Sequence, residues 1–215
     1  VLEGALIRIL VTDDHPLLRS GLRQVLEREM DFAPPGEANS AEEALACLST
    51  GHWDALVLDI SLPGRNGLEL LAEIRRRNVT LPVLILSVYG DQQFAIRALR
   101  TGANGYLTKT DAPLELVRAL RAILAGRRYL SQSMMEVLAD ALDANSVKPP
   151  HEDLSDREFQ VMHRIAAGRT VSEIADEIAL SVKTVSTYRA RALDKMRMRT
   201  NAEFTRYAVE HRLLL

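Results

Sequence analysis

From Ile7 to Gly126, short apolar runs and helical patterns alternate five times, and this alternation restricts the fold more than any other feature of the chain. A strand followed by a helix before the next strand pairs in parallel, so the sequence specifies an α/β domain with a doubly wound parallel sheet of five βα units. The expected strands are 7–12, 32–36, 55–59, 82–86 and 105–107. The third and fourth are the most uniformly apolar and belong at the buried centre. The expected helices are 16–28, 41–48, 68–76, 92–100 and 113–124. Their start signals include Ser40 three residues ahead of Glu43, Asp91 before the fourth helix, and Asp111 ahead of Pro113. Pro34 and Pro35 remove two ladder donors in succession, so the second strand is either at an edge or very short.

Beyond Gly126 the pattern changes. Residues 129–144 suit a helix, and 145–150, ending in Pro149 and Pro150, read as an extended linker that separates the flanking domains. After Leu154 the chain is all-α, a four-helix domain with helices expected at 156–167, 171–178, 182–196 and 202–211. Ser155 with Glu158, Thr170 with Glu173, and Thr200 with Glu203 form capping boxes; Ser181 opens the third helix without one. The expected organisation is an α/β domain over 1–126, a partly helical linker over 127–150, and a helical domain over 151–215. A chain of 215 residues with 47% apolar content can bury two such cores.

Lys and Arg total 27 against 29 Asp and Glu, so there is no bulk attraction to nucleic acid and any basic surface must be local. The single cysteine, Cys47, excludes an intramolecular disulfide or a multi-cysteine zinc site and reads as a small helix residue. No apolar run approaches the ~18 residues of a membrane span, and a cytoplasmic, membrane-free protein is expected.

Strand one ends in Asp13 and Asp14, and strand three in Asp59. Ligands of parallel sheets gather at the carboxyl ends of strands, so these carboxylates should converge, with Ser87 after strand four and Lys109 after strand five beside them. Clustered carboxylates repel unless a cation sits among them, and an all-oxygen set suits magnesium. His15 reads as a helix-start residue. The runs Leu10 to Pro16, Leu58 to Gly64 and Gly105 to Lys109 resemble a receiver domain. That resemblance implies that Asp59 accepts a phosphoryl group from a sensor histidine kinase. It also implies that Asp13, Asp14, Asp59 and the Ser61 carbonyl hold Mg2+, with Lys109 neutralising the phosphoryl oxygens. A phosphoryl on Asp59 would recruit the Ser87 hydroxyl, and the resemblance makes Tyr106 the aromatic that turns into the vacated space.

In the last 65 residues Lys and Arg total 11 against 10 acids, but the distribution is uneven. Lys183, Arg189, Arg191, Lys195, Arg197 and Arg199 crowd the third helix and its exit against Asp194 alone, whereas Glu173, Asp176 and Glu177 lie on the helix before. That asymmetry aims one face at a polyanion. The segment Leu154 to Glu158, then Glu173 to Ala175, then Leu180 to Ser186 resembles the LuxR-type helix-turn-helix of NarL/FixJ response regulators, nearest to the GacA and BvgA branch. Helical projection turns Val185, Ala192 and Met196 inward and Lys183, Thr187, Ala190 and Asp194 outward. Candidate DNA contacts are Lys183, Thr184, Ser186, Thr187, Arg189, Arg191 and Lys195. Lys183, Ser186 and Thr187 are expected at base edges, Arg191 and Lys195 at phosphates, and Arg189 either at a phosphate or in packing. So small a module implies a homodimer on double-stranded half-sites one helical turn apart.

The expected function is a phosphorylation-controlled transcription factor, not an enzyme beyond its own phosphotransfer. A magnesium-dependent phosphatase would want a second acid where Ser61 stands. A module acting through protein contacts alone leaves the basic helix unexplained, and a DNA-binding regulator indifferent to phosphate remains the close alternative.

Overall fold

A computed structural model describes residues 6–77, 80–88, 92–131, 135, 149–211, 213 and 214. The first domain interleaves β1 (Ile9–Thr12), α1 (Pro16–Leu26), β2 (Gly36–Ala38), α2 (Ala41–Thr50), β3 (Ala55–Asp59), α3 (Gly67–Arg76), β4 (Val83–Ser87), α4 (Gln92–Thr101), β5 (Gly105–Thr108), α5 (Ala112–Leu124) and β6 (Tyr129–Leu130). The strands form one parallel sheet in the order β2-β1-β3-β4-β5-β6, with β3 and β4 central as their apolar content requires. Every residue of β1, β3 and β4 is buried. Ile9, Val11, Val57 and Leu86 pack beneath α1 and α5, while Leu10, Leu56, Leu58 and Ile85 pack against the opposite helices.

The structure differs from the sequence expectation at two places in this domain and its exit. The second strand is Gly36–Ala38 rather than 32–36: Phe32 makes only an isolated bridge to Ile7, and pairing proper begins at Leu10 with Gly36, once the chain has passed the two prolines that cannot donate. Its edge position agrees with the sequence. The segment after Gly126 starts as a sixth strand rather than a helix, with Tyr129 and Leu130 beside Gly105 and Tyr106 of β5, so part of the expected linker extends the sheet. Most of the expected helix over 129–144 lies outside the described residues, as does the Asp91 cap. Asp111 stands at the start of α5 but makes no side-chain cap.

The C-terminal part comprises a 3-10 turn (Pro150–Asp153) and helices α6 (Asp156–Ala166), α7 (Val171–Glu177), α8 (Val182–Lys195) and α9 (Asn201–Glu210). Capping boxes at Ser155, Thr170 and Thr200 close as expected, and Ser181 caps α8 through the Thr184 amide. The expected separation of the domains is also corrected. The apolar core below α3 and α4 runs on into α6 to α9 without a break, because Phe94 and Phe159 bring two half-buried apolar faces together. Among the described residues, no helix is long and apolar enough to cross a membrane.

Candidate phosphoacceptor pocket and DNA-reading helix

The parallel strands deliver Asp13, Asp59, Ser87 and Lys109 to one edge of the sheet. Asp13, Asp59 and Ser87 are fully buried. The Lys109 ammonium lies 2.7 Å from Asp59 Oδ2 and 2.7 Å from Asp13 Oδ2, joining carboxylates from two strands. Its own amide donates to the Ser87 carbonyl at 2.7 Å, which fixes the exit of β5 against β4. The Ser61 amide donates to Asp59 Oδ1 at 3.0 Å, so the loop after β3 folds back over the acid. Gly67 makes that fold possible: a Cβ there would stand 2.0 Å from the Asp59 carbonyl oxygen.

Burial pushes the Asp59 carboxyl up to about 6, with Lys109 drawing it back down and Asp13 raising it further. Burial works against the Lys109 ammonium as well, yet Asp59 and Asp13 more than offset it, and its pKa stands above the ordinary lysine value. Asp14, half-buried, and His15 complete a group in which one ligand atom from each of Asp13, Asp14, His15 and Asp59 lies within 4.8 Å of the others. Three carboxylates against one ammonium leave an excess of negative charge that a divalent cation would balance, and the oxygen-rich donor set suits a hard ion. Tyr106 is buried on β5 beside Ile85.

On α8, Val185, Ala192 and Met196 are buried and Lys183, Thr187, Ala190 and Asp194 exposed, as the helical projection requires; Leu193 is also buried, and Ser186 and Arg191 are exposed. Thr187 is exposed but donates its hydroxyl to the Lys183 carbonyl at 3.0 Å, and three other candidates also have local partners. The Thr184 hydroxyl lies 2.8 Å from the Ser181 hydroxyl within the cap. Arg189 donates through Nε to Asn201 Oδ1 at 2.6 Å, tying α8 to α9, and the Lys195 ammonium reaches Glu158 Oε2 at 2.6 Å. The exposed face therefore centres on Lys183, Ser186, Thr187 and Arg191.

Between the two parts lies a contact that the sequence reading missed. Arg97 of α4 donates to the carbonyls of His151 and Leu154, each at 2.7 Å, and to Asp156 Oδ1 at 3.1 Å. Its guanidinium stands 4.5 Å from the centre of the Phe159 ring, and Phe94 meets that ring edge to face at 5.0 Å. A second contact involves the loop that follows Asp59. The Gly64 amide donates to the Ile178 carbonyl at 3.3 Å, and its carbonyl accepts from the buried Arg157. Gly64 has φ of +69°, a conformation open mainly to glycine. A partly or fully buried arginine in an amphipathic pattern looks like any solvated one, so no signal in the sequence marked Arg97 or Arg157.

These two regions coincide with two family matches. Residues 9–121 match the response regulator receiver domain, and residues 152–208 match the luxR family of bacterial regulatory proteins. The chain is 34% identical over 209 residues to the response regulator UvrY of Escherichia coli K12, covering 97% of this chain and 96% of that protein. It is 35% identical over 206 residues to the response regulator GacA of Pseudomonas protegens, covering 96% and 97%. Among solved structures, RcsB of Salmonella enterica serovar Typhimurium, bound to the promoter P1flhDC in the presence of the phosphomimetic BeF3-, aligns over 94% of this chain and 97% of its own. The TM-score is 0.65 at 25% identity. A LuxR-family response regulator from Aurantimonas aligns over 64% of this chain and 99% of its own, with a TM-score of 0.61 at 38% identity. With a receiver pocket on one domain and an exposed basic helix on the other, the chain belongs to the response regulators that join a receiver domain to a LuxR-type helix-turn-helix.

Proposed function

We propose that Asp59 accepts a phosphoryl group from a sensor histidine kinase and that this modification governs how a homodimer of the chain engages promoter DNA. The observation that carries this reading is the Asp59 carboxylate, buried at the end of β3 and paired at 2.7 Å with Lys109. In the transfer, an Asp59 oxygen attacks phosphorus as the bond from phosphorus to the donor nitrogen breaks, and the leaving imidazole takes a proton. Lys109 offsets charge on the phosphoryl oxygens, and the Ser61 amide orients the attacking carboxylate. Mg2+ held by Asp13, Asp14, Asp59 and the Ser61 carbonyl would supply further charge neutralisation at those oxygens.

Phosphorylation has a short route to the DNA-binding part. Ser87, at the end of β4, precedes the segment leading into α4, and α4 carries Phe94 and Arg97. Drawing the Ser87 hydroxyl toward a phosphoryl group, with Tyr106 turning behind it, would shift α4 and loosen its hold on residues 149–159. The freed domain, residues 151–215 in this reading, would then pair on two half-sites, presenting Lys183, Ser186 and Thr187 to base edges and Arg191 to a phosphate.

Gel-shift titration of a paired-half-site fragment, with divalent ion and with or without a small acyl phosphate, tests this. Affinity should rise about tenfold on phosphorylation and stay fixed in Asp59→Asn. Equal affinity in all four samples would favour the phosphate-indifferent regulator.

A further inference from the structure

The carboxylates are not the only ligand atoms facing the acid pocket. His15 directs Nδ1 toward the same space, 2.7 Å from Asp14 Oδ1, within hydrogen-bond distance of Asp13 Oδ1 at 3.1 Å, and 3.5 Å from the Lys109 ammonium. Around an octahedral divalent ion with bonds of about 2.1 Å, neighbouring ligand atoms stand about 3 Å apart, so these separations suit adjacent positions of one coordination sphere. The backbone holds the residue in register, since the His15 amide donates to Asp13 Oδ1 at 2.8 Å and Pro16 opens α1 immediately after. His15 occupies the N-cap position of α1, yet its side chain makes no capping hydrogen bond, which leaves the imidazole directed at the acids rather than committed to the helix.

We propose that His15 is a direct nitrogen ligand of the divalent ion in the receiver pocket, and that it shifts the site's preference from Mg2+ toward borderline ions such as Mn2+, Co2+ and Ni2+. This rests on the pocket being the metal site of the proposed function. Three carboxylates and a carbonyl form a hard oxygen set that favours Mg2+ and tolerates Mn2+. One imidazole among them adds a donor that Mg2+ accepts poorly and that first-row transition ions accept increasingly well from manganese to nickel. The acids set the affinity for any divalent cation, and His15 sets which cation gains most. The ion that supports phosphoryl uptake would then follow the availability of transition metals as well as magnesium.

Pulsed electron paramagnetic resonance of the full chain loaded with Mn2+ tests the ligation directly. The wild-type protein should show modulation from a directly coordinated nitrogen-14, and His15→Ser, which keeps a good N-cap residue but lacks a ring nitrogen, should lose it. The other four histidines, His52, His151, His163 and His211, remain in that variant as internal controls. Calorimetric titration should show Mn2+ affinity falling about tenfold in His15→Ser, with Mg2+ affinity changed less than twofold. Mn2+ bound in the wild-type pocket without nitrogen modulation, or equal losses for both ions, would overturn the role of His15 while leaving the acid pocket intact. Mn2+ binding that survives unchanged in Asp13→Asn would instead show that the ion lies elsewhere, and the metal-pocket reading itself would fail.

Discussion

The acid pocket and the exposed basic face of α8 are built in opposite ways. Asp13, Asp59 and Ser87 are fully buried and positioned by backbone pairing between adjacent parallel strands. Lys183, Ser186, Thr187 and Arg191 stand in the open on one side of a helix whose other side is packed. In the pocket Asp13, Asp59 and Lys109 are paired with one another, whereas the side chains of Lys183, Ser186, Thr187 and Arg191 face solvent. Substitutions in the pocket should therefore abolish a reaction, and substitutions on the helix should grade an affinity.

The largest effect is expected from Lys109→Ala. Removing the ammonium that bridges Asp13 and Asp59 should slow phosphoryl uptake by on the order of a hundredfold or more, measured with a small acyl phosphate, while binding to a single DNA half-site stays the same. A loss of half-site binding in the same variant would mean that the pocket and the helix are not separable.

Next comes the contact that joins the two regions. Arg97→Ala removes the donor to the His151 and Leu154 carbonyls and should raise paired-site affinity of the unphosphorylated chain by about tenfold, narrowing the response to phosphorylation correspondingly. Because the exposed face of α8 is open while α4 grips α6, half-site affinity should not change.

Asp59 gives the pocket a pH signature. Its folded pKa, about 6, stands above the 3.8 of an ordinary aspartate. The protonated acid therefore favours the fold below about pH 4, and that contribution is lost as the pH rises through about 6. Asp59→Asn, which stays neutral, should be more stable than wild type by about 3 kcal/mol at pH 7.5 in chelator, with the gain vanishing toward pH 4 in thermal melts. Added divalent ion should stabilise the wild-type chain more than the variant.

The smallest effect separates two basic residues of α8. Arg191→Ala should weaken binding to every sequence and reduce the salt slope by about one unit. Lys195→Ala should change the slope less, since its ammonium is already paired with Glu158.

How much of this was legible in the sequence follows the same division. Strand ends in a parallel α/β pattern fix where acids must meet, so Asp13, Asp59, Ser87 and Lys109 could be placed together before any coordinates. Helical periodicity likewise sorted Val185 and Ala192 from Lys183 and Thr187. Two features resisted. The second strand slid past Pro34 and Pro35 because a local donor deficit outweighed the apolar character of Phe32 and Ala33. The Arg97 clamp and the Gly64 bridge to Ile178 depend on how two finished domains meet, and no short-range periodicity encodes that. The imidazole of His15 lay between these cases: its position beside the acids was visible, but its direction toward them was not.

The central claim is that Asp59 is the acceptor in a pocket assembled from separate strands. Intact-mass analysis followed by peptide mapping, after incubation with a small acyl phosphate and divalent ion, measures it most directly. The account predicts one phosphoryl group per chain, on the peptide containing Asp59, and none on Asp59→Asn. An equal label on the variant, or a label on any other residue of the wild-type chain, would contradict it.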